Sequence, residues 1–259
     1  MCSWWLLVAA ALLASHASRA ATALTGSTGL LYVPVADVTP NERFSFGGVI
    51  GDYQAFPAKK FSHFREHPPD FYFSGYMNVG YIPRLEVTVR GNGMPGSRGP
   101  AEDVGPFYVD GMVSVQVLVY RGSRRLPALA FGVQDMYGFL LFNAAYTVVT
   151  WKIGGPHRQP VLISAGWAVD WMRKHQGTTE PGFEVNHVMD GFLLGTECPV
   201  RPWVATIVEY DSRSLNVGLR FRPVPWCTFD AAAVRWGLDQ LARRRIRGFA
   251  AQLHFDGRL

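Results

Sequence analysis

The sequence is short of charge, short of cysteine, and has no long apolar helix. Only 17% of its 259 residues are charged, against roughly 25% in ordinary soluble proteins. Disorder needs high charge and few aromatics, and aromatics here reach 14%. The Ala/Leu/Glu/Lys enrichment of a helical bundle is missing, and no run of about 20 apolar residues follows the N-terminal stretch. Both a bundle and a helical membrane protein are therefore excluded. What is present is 27 glycines and 17 prolines spread along the chain, with a net charge of +5. That composition reads as an all-β chain with many turns.

The first twenty residues read as a leader. Trp4 to Ala14 form a short unbroken apolar stretch, and Ser18 and Ala20 supply the small side chains of a signal-peptidase site. Cleavage is expected after Ala20, leaving residues 21–259 as one domain. Cys2 precedes the apolar stretch and so is not the lipidated cysteine of a lipoprotein. Cys198 and Cys227 remain, three strands apart by the pattern below. At roughly 4.8 Å per strand they sit about 14 Å from each other. A disulfide needs Cα atoms within about 7 Å, so no bond is expected.

Period-2 alternation dominates the rest. Leu85, Val87 and Val89 oppose Glu86, Thr88 and Arg90; Leu215, Val217, Leu219 and Phe221 oppose Asn216, Gly218, Arg220 and Arg222. The pattern predicts strands near 43–50, 70–82, 84–92, 111–121, 127–135, 139–153, 160–170, 188–198, 203–211, 214–222, 226–235 and 248–255. Short turns such as Pro83-Arg84 and Ser212-Arg213 join many of them. Longer polar connections at 51–69, 91–110 and 171–187 fall an even number of strands apart, so all can lie at one end.

One face carries Val, Leu, Phe and Trp; the other is mostly Gly, Ser, Thr, Asn and Gln with a few charges, as in a confined wet space. Phe71, Tyr72, Phe73, Tyr76, Tyr81, Trp151, Trp167, Trp171, Trp203, Tyr210 and Trp226 cluster near strand ends, as in the aromatic girdles of membrane barrels. The expected fold is an antiparallel up-and-down transmembrane β-barrel of about twelve strands after a cleaved signal peptide. The alternative is a soluble exported carbohydrate-binding β-sandwich. In a barrel, Glu86, Arg90, Asp135, Asp170, Glu197, Glu209, Asn216 and Arg220 belong to the polar lining of the lumen, with Lys152 and Arg222. Such a lining either meets sugar hydroxyls or ions, or forms an ion-pair network that plugs the barrel and sets its register.

Other motifs carry less. His63-Phe64-Arg65-Glu66-His67 fits an inverted zinc-protease pattern, but Pro68 and Pro69 follow at once and oppose the helix it needs. Gly91 to Gly96 fits Gly-x-Gly-x-x-Gly, yet Pro95 and a flexible loop stand where a helix must open. The basic runs Arg121–Arg125 and Arg243–Arg247 fall in turns, suited to solvent, anionic headgroups or an acidic polymer. No recognition helix suggests nucleic acid, and no cofactor or metal is expected.

Several ordered segments resemble the YjbH-like family. They are Thr28-Gly29-Leu30-Leu31-Tyr32-Val33-Pro34-Val35-Ala36, Pro40 to Gly48, Pro83 to Arg90, Pro127 to Asp135, Asp190-Gly191-Phe192, Glu209-Tyr210-Asp211 and Asn216 to Arg220. The resemblance covers nearly all of the chain after the leader and marks it as a short, single-unit member. It implies a bacterial outer-membrane location and a role in producing or exporting an extracellular polysaccharide. Partners would be outer-membrane lipid, the polysaccharide and other export proteins. The resemblance brings no catalytic residues with it, and the expected role is non-enzymatic.

Overall fold

The computed structural model describes residues 21–52, 71–95, 107–123, 125–137, 143–154, 159–170, 189–236 and 248–259. The expected leader, the His63–His67 motif, Trp171 and the Arg243–Arg247 run lie outside these residues. Twelve strands follow in chain order: β1 (Arg43–Asp52), β2 (Phe71–Ile82), β3 (Leu85–Pro95), β4 (Phe107–Tyr120), β5 (Ala128–Gln134), β6 (Ala144–Ile153), β7 (Val161–Val169), β8 (Gly191–Arg201), β9 (Val204–Tyr210), β10 (Leu215–Val224), β11 (Cys227–Trp236) and β12 (Gly248–Arg258). Each pairs antiparallel with its sequence neighbours, and β1 pairs with β12 from Arg43↔Arg258 to Gly51↔Ala250. The sheet closes into a barrel, so no strand is left as an edge. The two-sheet sandwich is thereby overturned, because its sheets would end in unpaired edges.

The short turns form where the local chemistry requires them. Ile82-Pro83-Arg84-Leu85 has proline second and a positive φ of 69° at Arg84, the pattern of a type II turn. Between β9 and β10, Asp211 Oδ1 accepts from the backbone N–H of Arg213 (3.2 Å) and Ser214 (2.8 Å), and Ser212 takes φ 77°. An aspartate side chain replaces a missing backbone partner in this way. The expected connection at 91–110 is shorter than the glycines suggested. Gly91 to Pro95 continue β3 because their backbones pair with Phe107–Gly111 of β4. Gly93 lies beneath the Phe73 ring, where a Cβ would meet it at 2.3 Å.

Alternation sorts the side chains by face. On β2, Phe71, Phe73 and Met77 are exposed while Tyr72, Ser74, Tyr76 and Asn78 are buried. Tyr72 and Tyr76 are thus not girdle residues: period 2 turns them inward between their outward neighbours. The outer surface carries Phe46, Ile50, Val89, Val117, Phe131, Leu219 and Leu253. At the short-turn end, aromatic rings run along the outside from Trp203 to Phe221 (6.5 Å) and Phe229 (6.1 Å), then from Trp226 to Phe255 (6.2 Å), Phe46 (5.5 Å) and Phe44 (6.1 Å). Cys198 on β8 and Cys227 on β11 are free thiols, separated by β9 and β10.

Candidate functional site

Residues 21–38 lie inside the barrel, bound to its inward side chains. Leu24, Leu30, Leu31, Val33, Val35 and Ala36 are at most 1% exposed. Their segment has only two isolated bridges, Thr22↔Thr28 and Gly29↔Pro34. A chain without helix or ladder must find partners for its N–H and C=O groups elsewhere. The inward side chains of the wall are those partners.

Glu209 on β9 accepts the successive backbone N–H groups of Leu31 (2.9 Å), Tyr32 (2.7 Å) and Val33 (3.1 Å), plus Asn216 Nδ2 of β10 (3.0 Å). Consecutive N–H groups converging on one carboxylate form an anion nest. Asn216 also donates to Asp211 Oδ2 at 3.0 Å, tying the carboxylate to the turn above it. Glu86 on β3 takes the other arm: it accepts Thr28 N–H (2.7 Å), the Thr28 hydroxyl and Thr39 N–H (2.8 Å). Neither carboxylate pairs with a lysine or arginine among the described residues; the segment's own amides carry their charge.

The segment's carbonyls are taken by Arg220 on β10, which is wholly buried. It donates from Nη2 to Leu30 O (2.9 Å) and Thr22 O (3.4 Å) and from Nη1 to Gly29 O (3.4 Å). The same guanidinium grips Asp230 of β11 at 2.8 and 2.9 Å and Glu197 of β8 at 2.7 Å. Glu197 in turn accepts from Arg222 Nη2 at 2.6 Å. Arginine's planar fork serves two carboxylates and three carbonyls at once, which lysine's single ammonium does not.

Glycine opens space for this grip. The Cβ of an alanine at Gly195 would meet Leu30 Cδ1 at 2.4 Å, and one at Gly218 would meet Leu31 at 3.0 Å. Gly132 on β5 lets the Tyr146 ring of β6 cross it, its Cζ 2.2 Å from where a Cβ would sit. Tyr146 thereby donates to Gln116 Oε1 on β4 at 2.6 Å, and Gln116 Nε2 donates to Val35 O (2.9 Å) and Asp37 O. The opposite side repeats the arrangement: Tyr76 crosses Gly47 and accepts from Gln252 Nε2, which also holds Thr22 O at 3.1 Å. Near the short-turn end Thr150 accepts Ala36 N–H (2.7 Å) and Lys152 pairs with Asp37 (2.7 Å).

The expected lining residues therefore fall into groups. Glu197, Glu209, Asn216 and Arg220 converge on one stretch of the segment, and Glu86 holds it from across the lumen. Arg90, 3% exposed, lies within electrostatic reach of Asp135, a buried residue at φ 53° whose N–H donates to Ser114 Oγ at 3.1 Å. Asp170 directly follows β7 at the long-connection rim. The pattern missed Thr150, Asp230 and Gln252, although alternation places each of them on the inward face, as it does Gln116. It also missed residues 21–38 as a structural unit. Their run Leu30-Leu31-Tyr32-Val33 does not alternate, and that was the available signal.

A family model described as exopolysaccharide biosynthesis protein YbjH matches residues 24–191, well over half of the chain. The chain belongs to this YjbH family. The matched stretch takes in most of this inner segment as well as β1 to β7. No curated protein matches the chain significantly. Among solved structures, it is similar to a triple mutant of the Rh. blastica porin, at 10% identity and TM-score 0.33, covering 72% of this chain and 55% of the porin. The chain thus spans about half of that porin's length. It is also similar to the outer membrane channel DcaP of Acinetobacter baumannii (7% identity, TM-score 0.32, covering 83% and 96%). A third is Ail, the attachment invasion locus protein of Yersinia pestis (8%, TM-score 0.20, 85% and 100%). The barrel assignment itself rests on the strand pairing of this YjbH chain.

Proposed function

We propose that this YjbH chain is an outer-membrane barrel that serves the production or export of an extracellular polysaccharide without itself catalysing a reaction. Its leader is removed after Ala20, and the barrel rests with its lumen closed by residues 21–38. The observation that carries this reading is the sorting of faces: exposed Phe, Leu, Val and Trp outside, buried Glu, Arg, Asn and Gln inside. A surface of that kind suits hydrocarbon, in which an arginine costs about 2–4 kcal/mol at the midplane. The aromatic run at the short-turn end suits a headgroup boundary, and short turns face the periplasm in bacterial barrels. The inward charges are engaged with one another and with the segment rather than grouped around a reactive centre, which supports a non-enzymatic role.

Two measurements test the reading. The protein should fractionate with outer membranes and migrate differently in detergent gels before and after boiling; recovery as a soluble periplasmic monomer overturns the location. A deletion strain should secrete less polymer or polymer of altered composition. Unchanged yield and composition overturn the role.

A further inference from the structure

The wall holds more hydrogen-bonding capacity than the segment uses. Ser74 Oγ, Asn78 Oδ1, Asn92 Oδ1, Gln134 Nε2 and Gln252 Oε1 are buried and have no hydrogen-bond partner among the described residues, and each of these residues is at most 2% exposed. Asn78 and Gln252 themselves hold the segment, whereas Ser74, Asn92 and Gln134 line the wall beside them. Ser74 faces Asn92 directly across β2 and β3. Asn78 donates to Gly26 O at 3.3 Å through Nδ2 while its Oδ1 is unused. Gln252 holds Thr22 O through Nε2 while its Oε1 is unused. Buried polar groups in native proteins are nearly always satisfied, and exceptions need a reason. A wall shaped only to retain the segment would match it. This one has spare neutral amides and a hydroxyl, the donor and acceptor types that recognise sugar hydroxyls.

The way the segment is held points in the same direction. Its backbone is bound by side chains and not by strand pairing, so it can leave without breaking a ladder of the barrel. On leaving, it uncovers Glu209, whose acceptors it shares with Asn216, and Glu86, which keeps the Thr39 N–H just beyond the segment. Carboxylates that accept peptide N–H groups accept sugar O–H groups by the same geometry.

We propose that residues 21–38 are an autoinhibitory occupant of a glycan-hydroxyl-binding wall, and that the segment and a hydroxyl-rich polymer compete for Glu86, Glu209 and the adjoining amides. This inference rests on the polysaccharide role proposed above, but it is tested separately, on purified protein. Leu31 Cδ2 lies 3.0 Å from the position of a Cβ on Gly218. The full chain carrying Leu31→Cys and Gly218→Cys, with Cys198→Ser and Cys227→Ser, puts a cysteine on each side of this contact, and loss of free thiol on oxidation reports the lock between segment and wall. In planar bilayers the oxidised form should stay closed. Reduction with dithiothreitol should raise the open fraction about tenfold or more, and maltoheptaose should block most of the released current. Deletion of residues 21–38 gives a second reading, with the same current and the same block expected without reduction. A reduced form that stays as closed as the oxidised one overturns the proposal, and so does a released current that maltoheptaose leaves unchanged. An altered polymer phenotype in the deletion strain alongside either result would leave the general role standing and remove the competition alone.

Discussion

Two parts of the same barrel wall grip one segment by different physics. On β8 to β11 the grip is ionic: Arg220, Arg222, Glu197 and Asp230 satisfy one another and, through Arg220, three carbonyls. On β12 and β1 to β5 it is mainly neutral, made by Gln252, Asn78, Gln116 and Thr88, with Glu86 as the exception. The ionic wall is saturated, whereas the neutral wall keeps unused donors and acceptors. An unpaired buried charge costs about 3–5 kcal/mol, an unsatisfied neutral group about 1–3 kcal/mol. The ionic side thus fixes where the segment sits. The neutral side leaves room for another partner.

Substitutions can break that contrast, and the largest effect belongs to the ionic wall. Arg220→Met leaves Glu197 and Asp230 buried with too little compensation and should cost about 3–5 kcal/mol, read as a lower urea midpoint for the unfolding of the detergent-solubilised barrel. If the loss is no larger than for a surface residue, the network is not what holds this side together. Next comes the anion nest. Glu209→Gln keeps the shape but removes the charge that gathers three N–H groups, worth about 1.5–3 kcal/mol. Hydrogen exchange should accelerate at Leu31, Tyr32 and Val33 while the barrel ladders stay protected. Exchange rising equally along the strands would show that nest and barrel are one cooperative unit.

Gly132→Ala probes the relay to the neutral wall. Its Cβ would push Tyr146 off Gln116, at about 1–3 kcal/mol, and should speed exchange near Val35 more than near Leu31. Equal acceleration at both would mean that the two walls do not hold separate parts of the segment. The smallest effect is expected at Asn92→Leu, which keeps the side chain's size while removing an unsatisfied acceptor and a weak bond from Nδ2 to Met112 Sδ (3.0 Å). Stability should shift by less than about 1 kcal/mol, or rise slightly, in the same urea titration. A loss comparable to that of Arg220→Met would erase the distinction between the walls.

Much of the barrel was readable in advance. The strand spans at 160–170 and 226–235 lie within one residue of Val161–Val169 and Cys227–Trp236, because alternation and turn residues are local signals. The inward placement of Glu86, Glu209 and Arg220 followed from the same period. Tyr72 and Tyr76 turn inward instead of joining the girdle, because period 2 sets them opposite Phe71 and Phe73. Gly91 and Gly93 read as the start of a loop, because the place of Gly93 beneath Phe73 emerges only once β2 lies beside β3.

What the sequence determined alone is the set of strands, their turns and the two chemical faces, each encoded within a few residues. Tertiary structure decided what the polar face touches. Tyr32 and Glu209 stand 177 residues apart in the chain, and Arg220 and Leu30 stand 190 apart. No periodicity spans such separations. Only closure of β1 onto β12 brings the wall around the segment and turns scattered inward charges into partners for its backbone.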